Sequence, residues 1–363
     1  MKGNPGPFSR LISLAFCLIS INAFSQKQIF RSNQSLTANQ LSDFYSSFTI
    51  DNGKIYFIAS DYFIYAYDKT SGKELWNQPL NYKTKLPCFV AGGIVYVPYY
   101  KDKDSYTAQL NAATGEFIKL LPVDPLQTKP IVKNDILYGT AIIDGGTVFA
   151  YDIKNDSLLW SRFLAHGVST QPYYFPDYIY ANAESDHWVR LNYKGELIDT
   201  SCKVKADIFV RDIPCIKDFL SLTHDGAELT GKFAQKIFGD AEVISPDNTL
   251  RGSNHSFVLH EDQLAIIGKK GKLTKLLNLR NLLEDSIPEE ETGLTQLIAA
   301  NEETIIFAWL NQYLRYNFKT NKLEKQVDLS AWDPSQVVQY NDELWLISRK
   351  NGQLYGIDLE SMN

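Results

Sequence analysis

Methionine, cysteine and histidine are scarce in this chain, at 2, 4 and 5 of 363 residues. Past residue 25 only Cys88, Cys202 and Cys215 remain, an odd number at unrelated spacings. That excludes a disulfide framework and a cysteine-rich metal knuckle, and leaves Cys202–Cys215 as a pair that an oxidising compartment could join. No Gly-x-Ser-x-Gly elbow occurs, and no glycine loop ends in a phosphate-binding lysine. Excess positive charge is also missing: the formal net charge is −6. An acidic chain lacks the basic footprint that nucleic-acid phosphates demand. Finally, no apolar run reaches the roughly 18 residues of a membrane-spanning helix.

Aromatic residues, by contrast, are abundant, with Tyr 21, Phe 20 and Trp 6. That bias suits half-buried pleated strands better than helices. Residues 1–25 read as a secretory signal: Lys2 and Arg10 precede the short apolar run Leu11 to Ile21, and Ala23-Phe24-Ser25 fits a small-x-small cleavage site. Leu14-Ala15-Phe16-Cys17 half resembles a lipobox, but Phe16 is large and Cys17 lies inside the apolar run, so no lipid anchor is expected. The segment holds two basic and no acidic side chains, so the remainder has 34 basic against 42 acidic, a balance of −8.

Residues 26–363 are organised by a repeat. Gly53-Lys54-Ile55-Tyr56, Gly93-Ile94-Val95-Tyr96, Asp135-Ile136-Leu137-Tyr138 and Asp177-Tyr178-Ile179-Tyr180 are plain copies, with weaker ones near Leu220, Ala265, Ile306 and Trp345. Landmarks at 56, 96, 138, 180, 220, 265, 306 and 345 stand 39 to 45 residues apart. Short alternating strands at this period mark an all-β propeller, one blade per repeat. The expected ring has eight four-stranded antiparallel blades. A seven-bladed ring stays open, because the fifth and sixth repeats are the most degenerate.

Residues 51–80 show the unit. Ile55 to Ser60 and Phe63 to Tyr67 read as strands joined at Asp61, Asp68 starts a turn relaxed by Gly72, and Glu74 to Leu80 runs out as an outer strand. The turn-starting step recurs at Asp68, Asn111, Asp152, Asn192, Asn317 and Asp358. The last repeat ends one strand short. Gln28 to Leu36 resembles Glu74 to Leu80, so the N-terminal segment is expected to complete the last blade and protect its edge.

Ala66-Tyr67-Asp68-Lys69-Thr70-Ser71-Gly72-Lys73-Glu74-Leu75-Trp76 resembles the tryptophan-docking motif of the pyrroloquinoline-quinone-type (quinoprotein-type) propeller repeats. Residues 150–160 repeat it with Asp156 in place of the glycine, and Asn111 to Glu116 is a copy without the tryptophan. The resemblance implies that Trp76 and Trp160 pack between blades. It fades after residue 200. Quinone-dependent dehydrogenases of this family show adjacent cysteines and a Glu/Asn/Asp calcium site; here no two cysteines adjoin. The character is closer to the exported, non-catalytic members, among them the propeller of the outer-membrane assembly machinery. The implied function is a scaffold that binds proteins of the cell envelope or extracytoplasmic ligands. The implied form is monomeric, periplasmic or extracellular, with no cofactor, metal, nucleic acid or transmembrane segment. The competing expectations are a quinone-dependent oxidoreductase and a carbohydrate-active propeller.

No catalytic, cofactor or metal residue is singled out. His166, His187, His224, His255 and His260 lie in different turns and strands and read as solvated or packed residues. Asp61, Asp102, Asp104, Asp144, Glu184, Asp186 and Asp225 fall in turns expected between second and third strands, diluted by Lys101 and Lys103. Lys269, Lys270, Arg349 and Lys350 are expected at the same place in later repeats, opposing an acidic sector with a basic one. Glu284 to Glu291, with Pro288, reads as a solvated loop.

Overall fold

The structure, a computed structural model, describes residues 27–34, 36–42, 45–80, 86–142, 146–165, 172–184, 187–198, 222–224, 227–229, 237–238, 249–251, 254–268, 272–283 and 292–360. The leader, the Cys202–Cys215 pair, the Leu220 landmark and the loop at 284–291 lie outside them. The chain is a β-propeller. Blade 1 comprises Ser47–Asp51, Lys54–Ala59, Phe63–Asp68 and Glu74–Pro79, all antiparallel. Blade 2 is Phe89–Ala91, Ile94–Lys101, Asp104–Asn111 and Phe117–Leu121, and blade 3 is Ile131–Lys133, Ile136–Ile142, Gly146–Asp152 and Ser157–Ala165. Blade 4 has, among the described residues, three strands, Tyr173–Tyr174, Tyr178–Glu184 and His187–Asn192. Blade 5 runs from Thr249–Arg251 to Leu273–Asn278, and blade 6 from Gln296–Ala300 to Lys322–Asp328. Blade 7 takes Pro334–Tyr340, Glu343–Ser348 and Leu354–Asp358 from the C-terminus and Gln28–Arg31 from the N-terminus.

Seven apolar clusters join these sheets pairwise around the ring. Tyr173 of blade 4 packs on the cluster of Phe238, Val258, Ala265 and Ile267, so blades 4 and 5 share a core directly. Among the described residues the fifth repeat supplies only a two-stranded ladder, Leu222–His224 with Ala227–Leu229. Among the described residues the ring therefore has seven blades of three or four strands, the smaller of the two counts the repeats allowed.

Strand register tests the landmarks that lie within the described residues. Tyr56 pairs with Ala66 and Ala66 with Trp76. The equivalent rows are Tyr96–Gln109–Lys119, Tyr138–Ala150–Trp160, Ile306–Arg315–Lys325 and Trp345–Gly356–Phe30. The sixth landmark needs correction. Ala265 lies in a third strand, and the residue equivalent to Tyr56 is Phe257, in the row Phe257–Ile266–Lys275. Two adjacent apolar strands, Ser256–His260 and Gln263–Ile267, make the shift invisible to periodicity.

The outermost residue of each row docks on the next blade in one of two ways. Trp76 lies on Gly115 and Trp160 on Gly195, where a Cβ would come within 2.6 and 2.5 Å of the indole. The indole N–H groups donate to Ala112 O (3.4 Å) and Tyr193 O (3.1 Å) of the next blade. Phe30 covers Gly72 likewise. Where Asp156 replaces the glycine, the docking residue is Lys119, whose Nζ lies 2.5 Å from Asp156 Oδ1. Lys275 donates to Asn321 and Tyr316, and Lys325 to Leu359 O. Among the described residues six of the seven seams are thus built as a matched pair, aromatic on glycine or ammonium on oxygen; the seam between blades 4 and 5 shows none.

All six turn-starting residues act as expected. Asp68, Asn111, Asp152, Asn192, Asn317 and Asp358 each accept a backbone N–H two to four residues on, at 2.7 to 3.2 Å. These bonds imitate a backbone turn and, after Asp68, Asn111, Asp152 and Asn317, release the chain into its outer strand. The N-terminal strand also pairs as expected, Phe30 facing Gly356 and Arg31 facing Tyr355.

Candidate functional site

The turns between second and third strands are the first candidates, and most of their side chains are occupied. Asp61 Oδ1 accepts from Phe63 N (3.2 Å) and Oδ2 from Tyr65 OH (2.6 Å). Burial, then the neighbouring Asp61, pushes the Tyr65 phenol well above its usual range. Asp102 and Lys103 form the tip of a two-residue hairpin with φ of 53° and 77°. That conformation suits the strand twist and leaves both side chains at an exposed corner. Asp144, Asp186 and Asp225 lie outside the described residues, and Glu184 is described only as part of a strand.

The described residues do not gather the expected basic sector. With the register corrected, the blade 5 turn between second and third strands is Glu261-Asp262, which is acidic; Glu261 O accepts from Trp309 Nε1 and Asp262 from Asn278. Lys269 and Lys270 fall between third and fourth strands, outside the described residues. In blade 7, Arg349 lies 3.5 Å from Asp333, and Lys350 donates to Ser330 O at 2.7 Å. These basic groups tie their turn to the segment Ser330 to Asp333 that leads into the blade.

His255 meets the Phe318 ring edge-on and His260 lies against Phe238. His187 and His224 sit in strands of different sheets, and His166 lies outside the described residues. Among the described residues no group of three His, Cys, Asp or Glu is placed to hold a metal. Cys88 is buried, with its thiol pushed up to about 12 by desolvation, and it faces Tyr56 O at 3.7 Å. Such a thiol packs and does not react.

Two features leave no mark in the sequence pattern. The first is at the ring closure. Gln336 spans to blade 1, accepting from Phe48 N and donating to Phe48 O, both at 3.1 Å. Gln296 does the same to Val337 of blade 7. Each amide stands in for one rung of a β ladder between inner strands. Lys69 crosses the same seam between blades 1 and 7, 2.6 Å from Glu343 and over the rings of Tyr340 and Trp345.

The second is on the rim. The outer strands carry a bulge at one recurring place, which turns the extra residue outward. In blades 7, 1, 2 and 3 that residue is Ile29, Leu75, Ile118 and Leu159, each 40–48% exposed. In blades 5 and 6 it is Thr274 and Glu324. Phe117 and Leu158, beside two of them, are 52% and 48% exposed. At the bulge position four consecutive blades therefore present apolar residues and blades 5 and 6 polar ones, while Leu273 and Leu276 are exposed elsewhere on the outer strand of blade 5. Only the register shift at each bulge identifies this row, and no periodicity in the sequence predicts a bulge.

Comparison with known proteins agrees with the repeat reading. Residues 20–118 match the family model described as outer membrane protein assembly factor BamB. The match supports a quinoprotein-type propeller close to that factor. The structure of BamB from Moraxella catarrhalis aligns with 13% identity over 86% of this chain and 82% of that one, TM-score 0.49. The computationally designed Ika8 protein aligns with 11% identity over 92% of this chain and 99% of its own, TM-score 0.55. At such identity the latter likeness shows the fold alone. No curated protein matches significantly by sequence.

Proposed function

We propose that this chain is a non-enzymatic propeller of the bacterial cell envelope that presents surfaces to protein partners, with a role in outer-membrane assembly. In this reading residues 1–25 are removed on export, residues 26–363 form a periplasmic monomer, and no lipid anchor is attached. The observation that carries it is the match of residues 20–118 to a family described as an outer-membrane assembly factor. The rim supports a binding role: large apolar side chains repeated on the exposed edge of consecutive blades mark protein contacts. No helix among the described residues is long and apolar enough to cross a membrane.

Affinity capture of the tagged mature chain from a bacterial envelope extract tests the reading. Defined outer-membrane assembly proteins should be retained, and Ile118→Glu with Leu159→Glu should release them while the fold persists by circular dichroism. Reconstitution with calcium and pyrroloquinoline quinone is the opposing arm. A cofactor absorption band with dye-linked turnover, and no retained protein, would replace the scaffold with the oxidoreductase.

A further inference from the structure

Blade 7 takes its outer strand from the far end of the chain, and the borrowed segment is read residue by residue. From Phe30 to Gln34 burial alternates: Phe30, Ser32 and Gln34 are 7%, 2% and 6% exposed, while Arg31 and Asn33 face solvent. Phe30 has its ring centroid 5.2 Å from that of Tyr67 and 5.4 Å from that of Trp345, over Gly72. Ser32 makes three bonds: its N–H donates to Leu354 O (2.9 Å), its Oγ accepts from Leu354 N (3.0 Å) and its carbonyl accepts from Gln353 Nε2 (2.9 Å). Gln34 Nε2 donates to Tyr67 OH at 2.5 Å. The seam between blades 7 and 1 is therefore a groove that recognises an aromatic, a small hydroxyl and an amide at alternate positions of an extended strand.

We propose that this groove is a strand-exchange site, filled within one chain by Phe30-x-Ser32-x-Gln34 and open to the same segment of a second copy. The contacts are identical in both arrangements, so the choice between them is set by effective concentration and by the connector. Twelve residues separate Gln34 from Ser47, about 40 Å when extended. They include the single-turn helix Ala38–Ser42, capped by Thr37 and Gln40. Withdrawal of the strand bares the edge of Leu354–Asp358, which templates a replacement strand.

A fluorescein-labelled peptide of residues 27–36 tests this by polarisation against the full chain. Phe30→Ala in the chain loosens the resident strand, so the peptide should bind at least tenfold tighter than to the unaltered chain. A peptide with alanine in place of Phe30 should lose that gain. Equal binding by both peptides, or no gain over the unaltered chain, overturns the proposal. Two differently tagged copies of the unaltered chain, unfolded and refolded together at high concentration, should yield mixed dimers by native mass spectrometry. Their absence counts against exchange even where Phe30→Ala does not fold.

Discussion

Replacing Gly115 with alanine separates two costs that a docking glycine combines. The residue sits at φ +76°, and the added Cβ would lie 2.6 Å from Trp76 Cδ2 and 2.7 Å from Cε3. The left-handed backbone costs an L-residue about 1–2 kcal/mol. Displacing a packed indole adds about 1–3 kcal/mol. Gly53 isolates the first cost, because it has φ +73° and no heavy atom within 4 Å of the place a Cβ would occupy. Gly53→Ala should thus lose about 1–2 kcal/mol and Gly115→Ala about 2–5 kcal/mol. Trp76→Ala should lose about 3–5 kcal/mol through the emptied seam. In the double variant the clash is gone, so its loss should fall short of the summed single losses by about 1–3 kcal/mol. Urea unfolding of the four variants and the parent measures all of this. Additive losses, or equal losses at Gly53 and Gly115, would refute the claim that the indole is seated on the glycine.

Three other outcomes follow from the same geometry. Gln336→Leu frees both Phe48 N and O at the closing seam and should lower stability by about 1–3 kcal/mol in urea, whereas Gln78→Leu on an outer strand serves as the control. Asp68, Asp152 and Asp156 are all held below the usual carboxylate range, chiefly by the Ser71 hydroxyl, the Asn155 N–H and the Lys119 ammonium respectively. Their folded values lie below the unfolded ones, so their contribution is present above about pH 4 and lost as pH falls through the depressed values. Asp68→Asn with Asp152→Asn should flatten the acid limb of the stability curve, and an unchanged limb would show that these turns do not set it. Cys88 should resist a thiol reagent in the folded chain and react at the rate of unfolding, read site by site by mass spectrometry.

Much of the fold was legible in local chemistry. Tyr56, Tyr96, Tyr138 and Tyr180 recur because each fills the same place in a blade, and the turn-starting Asp and Asn residues act within four residues of themselves. The closing strand was legible too, since Gln28 to Leu36 repeats an outer-strand pattern that the last blade lacks. The rim row, the Gln336 bridge and the Lys69 socket were not. Gln336 and Phe48 lie 288 residues apart, as the ring brings its ends together. The sixth landmark failed for a related reason: two apolar strands of equal length look alike until pairing shows which neighbours which.

Local pattern thus determined the all-β class, the blade unit, the turn chemistry and the joining of the two ends. Those features depend on side-chain alternation and on bonds between residues near in sequence. Tertiary structure alone decided that seven sheets share the ring, that Lys119 finds Asp156, and that Ile29, Leu75, Ile118 and Leu159 face outward together. Each of these depends on how one blade seats on the next, and a packing relation between distant surfaces leaves no period in the chain.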